Sequence, residues 1–218
     1  MLNPLLEPVV IDEPIIEPVS LQEMRDQCRI DVQDAGQDSL LQGYISVARD
    51  YVEWRTARTF HQKTLLWILN FWPYYAPTYY ASVSQLVELP MATPLIEIDF
   101  IKYMDSGGND NTWDPSQYSA DVYSTPGGFK PNYGVAFPSF APHPVNPIRI
   151  QYKAGIATTS PGTEAPEKVK QPIRLLAAAM FDNRESESLP SRSAVQFTAQ
   201  KIGGFESLLL RLTAEHAF

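Results

Sequence analysis

The hydrophobic positions change period twice along this chain. After Ser20, Leu21, Met24, Cys28 and Val32 recur at spacings of three and four, which predicts an amphipathic helix ending near Gly36. Ser20-x-x-Glu23 opens it with a capping box, and Ser39-x-x-Gln42 has the same form before a second helix. In that helix Leu41, Ile45, Ala48 and Val52 make one stripe, and Leu40, Tyr44, Val47 and Tyr51 an adjacent one. Such a wide apolar face predicts packing on more than one side, through to about Arg58. Arg49, Glu53, Arg55 and Arg58 are placed on its polar edge.

From Thr64 the period becomes strand-like. Candidate strands are Thr64–Asn70, Gln85–Leu89, Leu95–Met104, Gln117–Tyr123 and Pro147–Lys153. Within them Ile96, Ile98 and Phe100 alternate with Glu97 and Asp99, and Ile148, Ile150 and Tyr152 with Arg149 and Gln151. Asp105 to Asn109 has the composition of a hairpin turn. Helical spacing returns at Val169, Ile173, Leu176 and Met180 after Pro166, with Pro172 predicting a restart near Gln171 or a bend. A short helix is expected over Phe205–Leu212, after Gly203-Gly204. The fold class is therefore α+β: a helical core of about four helices from 20–60 and 164–218, with a large antiparallel β insertion over 61–163.

Residues 1–19 stand apart. Prolines at 4, 8, 14 and 18 deny them a helix, yet the segment is too apolar for an ordinary solvated tail. It is expected to be an extended arm lying on a neighbouring subunit through Leu5, Leu6, Val9, Val10, Ile15 and Ile16.

Composition adds exclusions. The formal net charge is −8, with only 17 Lys and Arg, which argues against sequence-specific DNA binding. Cys28 is the single cysteine, so no intrachain disulfide is possible, and it is read as a small core residue. No apolar run reaches membrane-spanning length, and the N-terminus lacks a signal-peptide pattern, so use without export is expected.

The catalytic inventory is empty: no nucleophile elbow, phosphate-binding loop or dinucleotide fingerprint is present. His61, His143 and His216 are far apart and lack metal-ligand spacing, and are read as surface or packing residues. Asp105, Asn109, Asp110, Asn111 and Asp114 lack the order of a calcium loop. Gly127-Gly128 reads as a turn or hinge. No enzyme activity, metal or cofactor is expected. The aromatic run Phe71, Trp72, Tyr74, Tyr75, Tyr79 and Tyr80 could pack the β insertion, or contact a protein or a sugar.

An ordered series of short motifs resembles a known family. It runs through Leu21, Met24, Cys28 and Arg29–Asp31; Ala48-Arg49 with Glu53 and Thr56; Leu89-Pro90 and Pro94-Leu95 before Ile98; and Tyr103-x-Asp105 with Gly107. It continues through Trp113 and Tyr118, Tyr152-x-Ala154-Gly155, Pro166, Val169-Lys170-Gln171 and Asn183-Arg184-Glu185. Over roughly 20–186, with an echo at 207–212, this resembles the gp6-like and phiE125 gp8-like phage head–tail connector (adaptor) proteins. Pro172 and the arm of residues 1–19 depart from the family pattern.

The resemblance implies a structural subunit of a ring, typically dodecameric, beneath the portal in the virion neck, assembled in the host cytoplasm. The ring would extend a channel through which double-stranded DNA passes without sequence-specific binding, past a wall that is acidic or neutral. Its partners would be other copies of itself, the portal protein, and the next neck, stopper or tail protein, with no membrane. The spacing at the C-terminus, joined to the resemblance, makes Phe205, Leu208, Leu209, Arg211 and Leu212 the expected portal interface. Trp72, Tyr74 and Tyr75 become possible neck- or tail-side contacts. The competing reading is a β-rich, tail-associated module binding carbohydrate or a receptor through Trp72.

Overall fold

A computed structural model describes residues 7–12, 16–31, 34–72, 86–140, 145–156, 165–183 and 192–214. The chain divides into two units, one of residues 1–14 with 62–155 and the other of 15–61 with 156–218. The first is built of β-strands and the second of helices, so the α+β class expected from the two changes of period is what the chain adopts.

In the helical unit, α1 spans Leu21–Cys28 and α2 Asp38–Thr56. α3 spans Glu167–Asp182, α4 Arg192–Lys201 and α5 Phe205–Ala214. The capping box at α1 is complete: the Glu23 N–H donates to Ser20 Oγ at 3.2 Å, and the Ser20 N–H to Glu23 Oε2 at 2.7 Å. α1 is shorter than its apolar spacing suggested. Arg29 adopts a left-handed conformation (φ 56°) and returns its N–H to the last turn, closing the helix before Gly36. Val32 lies outside the described residues.

The second capping box does not form. A 3-10 turn over Ala35–Gln37, capped by Asp34, leads directly into α2, and Ser39 sits inside the first turn. α3 runs unbroken through Pro172, whose ring lies on the buried face with Val169, Ile173 and Leu176. The restart expected at Gln171 is therefore absent. α4 was not foreseen, because the segment before Gly203 is polar in sequence. Val19, Met24, Leu41, Ile45, Ala48, Val52, Phe60, Val169, Ile173 and Leu176 form one core, joined by Val195, Ala199 and α5.

The β unit holds a five-stranded antiparallel sheet in the order β1-β2-β8-β4-β5. Its strands are β1 Val9–Asp12, β2 Lys63–Leu69, β4 Leu95–Met104, β5 Asp110–Thr112 and β8 Ile148–Ala154. A smaller sheet takes β3 Val87–Glu88, β6 Tyr118–Asp121 and β7 Gly128–Pro131 in the order β3-β7-β6.

β2 and β8 keep strict alternation, with Leu65, Trp67, Ile148, Ile150 and Tyr152 inward. β4 does not. Its pairing with β8 shifts between Leu95 and Glu97 and again between Ile98 and Phe100, so Leu95, Ile98 and Ile101 all serve the core. The expected single face of Ile96, Ile98 and Phe100 is therefore split by two bulges, and Ile96 is exposed. Gly128 is neither turn nor hinge: it lies in β7, where a Cβ would collide with the Val87 carbonyl oxygen across the strand pair.

Candidate assembly surfaces

Each residue expected at an interface can now be placed. α5 presents Phe205, Leu209 and Leu212 inward, at 0%, 2% and 2% exposure, as part of the helical unit's own core. This corrects the reading of the C-terminal apolar stripe as a free portal anchor. A ten-residue helix is marginal alone, and this one gains its stability by burying that stripe within the chain. Leu208 is half-buried, while Leu210 and Arg211 face outward. Arg55 Nη2 meets Glu206 Oε2 at 3.0 Å, tying α2 to the first turn of α5.

Trp72 is likewise not a contact surface. It is 4% exposed, donates from Nε1 to the Pro138 carbonyl at 2.9 Å, and packs against Trp113 and Phe137 with ring centroids 5.7 and 5.1 Å apart. This removes the proposed sugar platform, which needs an exposed ring face. Phe71 beside it is exposed. Tyr74, Tyr75, Tyr79 and Tyr80 lie outside the described residues, as do Leu5, Leu6, Ile15, His143 and His216.

The described residues Val9–Asp12 of the N-terminal segment are an extended strand that pairs within the chain. Val9 lies opposite Leu66 and Val10 opposite Leu65, with a register shift before Asp12. All four residues of β1 are exposed. Ile16 is half-buried, and just beyond it Pro18 and Val19 are buried in the helical unit.

Of the polar edge expected on α2, Arg55 is exposed, but Arg49 and Glu53 belong to a buried ionic cluster, which sequence patterning missed. Arg49 and Glu53 are 5% and 2% exposed. Arg49 Nε donates to Glu17 Oε2 at 2.8 Å, and its Nη1 reaches Glu53 Oε2 at 3.2 Å and Asp50 Oδ1 at 2.9 Å. Burial alone would lower the Arg49 pKa, but Glu53, Glu17 and Asp50 outweigh it and hold the guanidinium charged. Glu53 Oε1 accepts the Phe60 N–H at 2.6 Å and lies 3.4 Å from His61 Nδ1. One carboxylate thus fastens the chain just after α2, and the Glu17–Arg49 bond anchors the segment leading into α1. His61, 2% exposed, is an interior residue of this cluster. The usable signal was the i,i+4 pair Arg49/Glu53 set between two apolar stripes.

Two further ion pairs brace the same unit. Arg25 grips Asp38 bidentately, with Nε–Oδ1 at 2.9 Å and Nη2–Oδ2 at 2.6 Å, joining α1 to the start of α2. Lys170 Nζ meets Glu23 Oε1 at 2.9 Å, joining α3 to α1. Burial raises the Glu23 pKa, but the Ser20 and Lys170 hydrogen bonds more than offset it and hold the carboxyl below its ordinary value.

The β unit arranges its charges differently. Lys153 Nζ bonds Glu97 Oε1 at 2.6 Å, Gln151 Nε2 bonds Asp99 Oδ2 at 2.8 Å, and Arg149 pairs with Asp110, all on the outward face of the large sheet. The turn after β4 closes on Asp105. Its carboxylate accepts the Gly107 and Asn109 N–H groups at 2.9 and 3.0 Å and the Asn111 amide at 2.9 Å, and these bonds lower its pKa. Among the described residues no group of three or more His, Cys, Asp and Glu is placed to hold a metal ion, and no helix is long and apolar enough to cross a membrane.

Comparison with known proteins fits this architecture. Residues 18–89 match the model of the phage gp6-like head-tail connector protein family. That segment takes in α1, α2, β2, β3 and the buried ionic cluster apart from Glu17. A chain in the neck of the empty gene transfer agent (GTA) particle, described with C6 symmetry, shares the fold at TM-score 0.67 and 17% identity, over 94% of each chain. A chain in the native GTA virion superposes at TM-score 0.68 with 17% identity, again over 94% of each. One in the native GTA neck, described with C12 symmetry, superposes at TM-score 0.65 with 16% identity, over 94% of this chain and 93% of that one. No curated protein matches the chain significantly. Residues 18–89 are thus similar to gp6-like head–tail connector proteins, on a fold shared along nearly the whole chain with neck and virion chains of the GTA particle.

Proposed function

We propose that the chain works as one subunit of a closed ring in the virion neck, seated under the portal and receiving the next neck or tail protein on its other side. The match of residues 18–89 to head–tail connectors carries this reading, because it falls on α1, α2 and the Arg25–Asp38 pair that joins them. The particle necks with the same fold are described with C6 and C12 symmetry. Carried over to this chain, those symmetries favour a ring, and twelve copies is the number proposed.

The work of such a ring is recognition and assembly, with no bond made or broken. Double-stranded DNA would pass along its axis. A chain of net charge −8 suits that role, because a wall rich in Lys and Arg would hold the duplex by releasing its counterions. Assembly in the host cytoplasm before tail attachment belongs to the same proposal.

The test is genetic and structural. Particles made without this chain are expected to accumulate as heads with portals and no joined tails, and joining should return when purified chain is added. Tailed particles formed at the normal yield in its absence would reject the role.

A further inference from the structure

Strand β1 is an unusual edge. It ends the five-stranded sheet, and among the described residues nothing pairs with its far side. Val9, Val10 and Ile11 are 50%, 45% and 52% exposed, so three of the large hydrophobics exposed among the described residues occupy consecutive positions. Proteins usually blunt such edges with charge, proline or a bulge, because an open strand recruits other chains. Here Pro8, Glu7 and the irregularity before Asp12 blunt only the ends, and the middle stays apolar. A surface of this kind calls for a partner offering an apolar seat with a cation beside it, to meet the exposed carboxylates Glu7 and Asp12.

The chain carries such a seat itself. On α5 the inward stripe is used by the core, which leaves Leu210 at 62% exposure beside the exposed Arg211. Copies of net charge −8 repel one another, so contact between them should fall where charge is absent or locally opposite. β1 and the outward side of α5 meet both conditions, and they are different patches. A contact between unlike patches is heterologous, and repeated around an axis it closes a ring.

We infer that β1 of one copy docks on the outward side of α5 of the next, with the exposed apolar side chains of β1 against Leu210, and Asp12 paired with Arg211. This rests on the ring reading above and names its subunit contact. It also moves Arg211 from the portal side to the side of the neighbouring copy.

The experiment measures the mass of the full-length chain in solution across a concentration series, for wild type, Ile11→Lys, Arg211→Glu, Asp12→Lys and the double variant Asp12→Lys/Arg211→Glu. All substituted side chains are exposed, and circular dichroism confirms the fold of each. Wild type should form a discrete ring. Ile11→Lys and Arg211→Glu should each raise the concentration needed for assembly at least ~10-fold, and the double charge exchange should recover most of the loss caused by either single charge reversal. Rings of Ile11→Lys and Arg211→Glu as stable as wild type, or a double variant as weak as the two losses combined, would overturn the contact while leaving the ring intact. A wild-type chain that stays monomeric throughout would instead remove the ring reading on which the contact rests.

Discussion

The two units of this chain handle charge in opposite ways. In the helical unit Arg49 and Glu53 lie inside, held by Glu17, the Phe60 N–H and His61, so each group depends on its partners. In the β unit Lys153, Glu97, Asp99, Arg149 and Asp110 pair on the outward sheet face, while Trp72, Trp113, Tyr118 and Phe129 fill the interior as an aromatic cluster. A buried pair loses its compensation when one member is removed, whereas an exposed pair exchanges its partner for water. The helical unit therefore uses charge to fix the path of the chain around α2, and the β unit obtains its stability from packed rings and strand pairing.

That contrast sets an order of effects. Trp113→Ala removes the ring that contacts Trp72, Tyr118, Phe129 and Phe137, and should cost about 4 kcal/mol. Tryptophan fluorescence during urea unfolding is the suitable readout, because Trp67, Trp72 and Trp113 all belong to the β unit. Glu53→Ala leaves Arg49 buried with fewer acceptors and takes the acceptor from the Phe60 N–H, for a loss of about 3 kcal/mol by far-UV circular dichroism. Replacing both members, as Arg49→Met/Glu53→Leu, should cost less than the sum of the single losses, and full additivity would refute the coupling. Ser20→Ala removes half of the capping box and should cost about 1 kcal/mol. Lys153→Ala, on the exposed ladder, should leave the unfolding midpoint close to that of wild type; a loss near that of Glu53→Ala would break the comparison.

Acid should act on both units. Burial raises the Glu23 carboxyl, but hydrogen bonds hold it below its ordinary value of 4.5, and backbone or side-chain donors hold Asp105, Asp114 and Asp121 below 3.8. A carboxylate whose folded pKa is depressed adds stability that is complete above its unfolded pKa and is lost as pH falls through the folded one. The thermal midpoint should therefore fall as pH drops below about 4.5 and continue to fall below 3.8. A midpoint that rises over that range would contradict the sign.

The sequence disclosed those features that depend on local spacing. The Ser20 capping box, the alternation of β2 and β8, the ends of β4 and the start of α5 at Phe205 all follow from short-range periodicity. What spacing hid had tertiary causes. The two irregularities in β4 rotate its inward set from Ile96, Ile98 and Phe100 to Leu95, Ile98 and Ile101, and only the pairing with β8 reveals that. Arg49 and Glu53 have the composition of a solvated edge, yet partners from outside α2 make them interior residues. The stripe of Phe205, Leu209 and Leu212 was legible as a face, but periodicity does not say whether a face meets its own chain or another. Trp72 carried the same ambiguity, and the β unit takes it as core.

Electron microscopy of the purified full-length chain tests the connector account most directly. The account predicts end-on class averages of a closed ring with rotational symmetry, twelve-fold as proposed, around an open axial channel. Particles that remain single subunits at every concentration, alone and with purified portal, would contradict it.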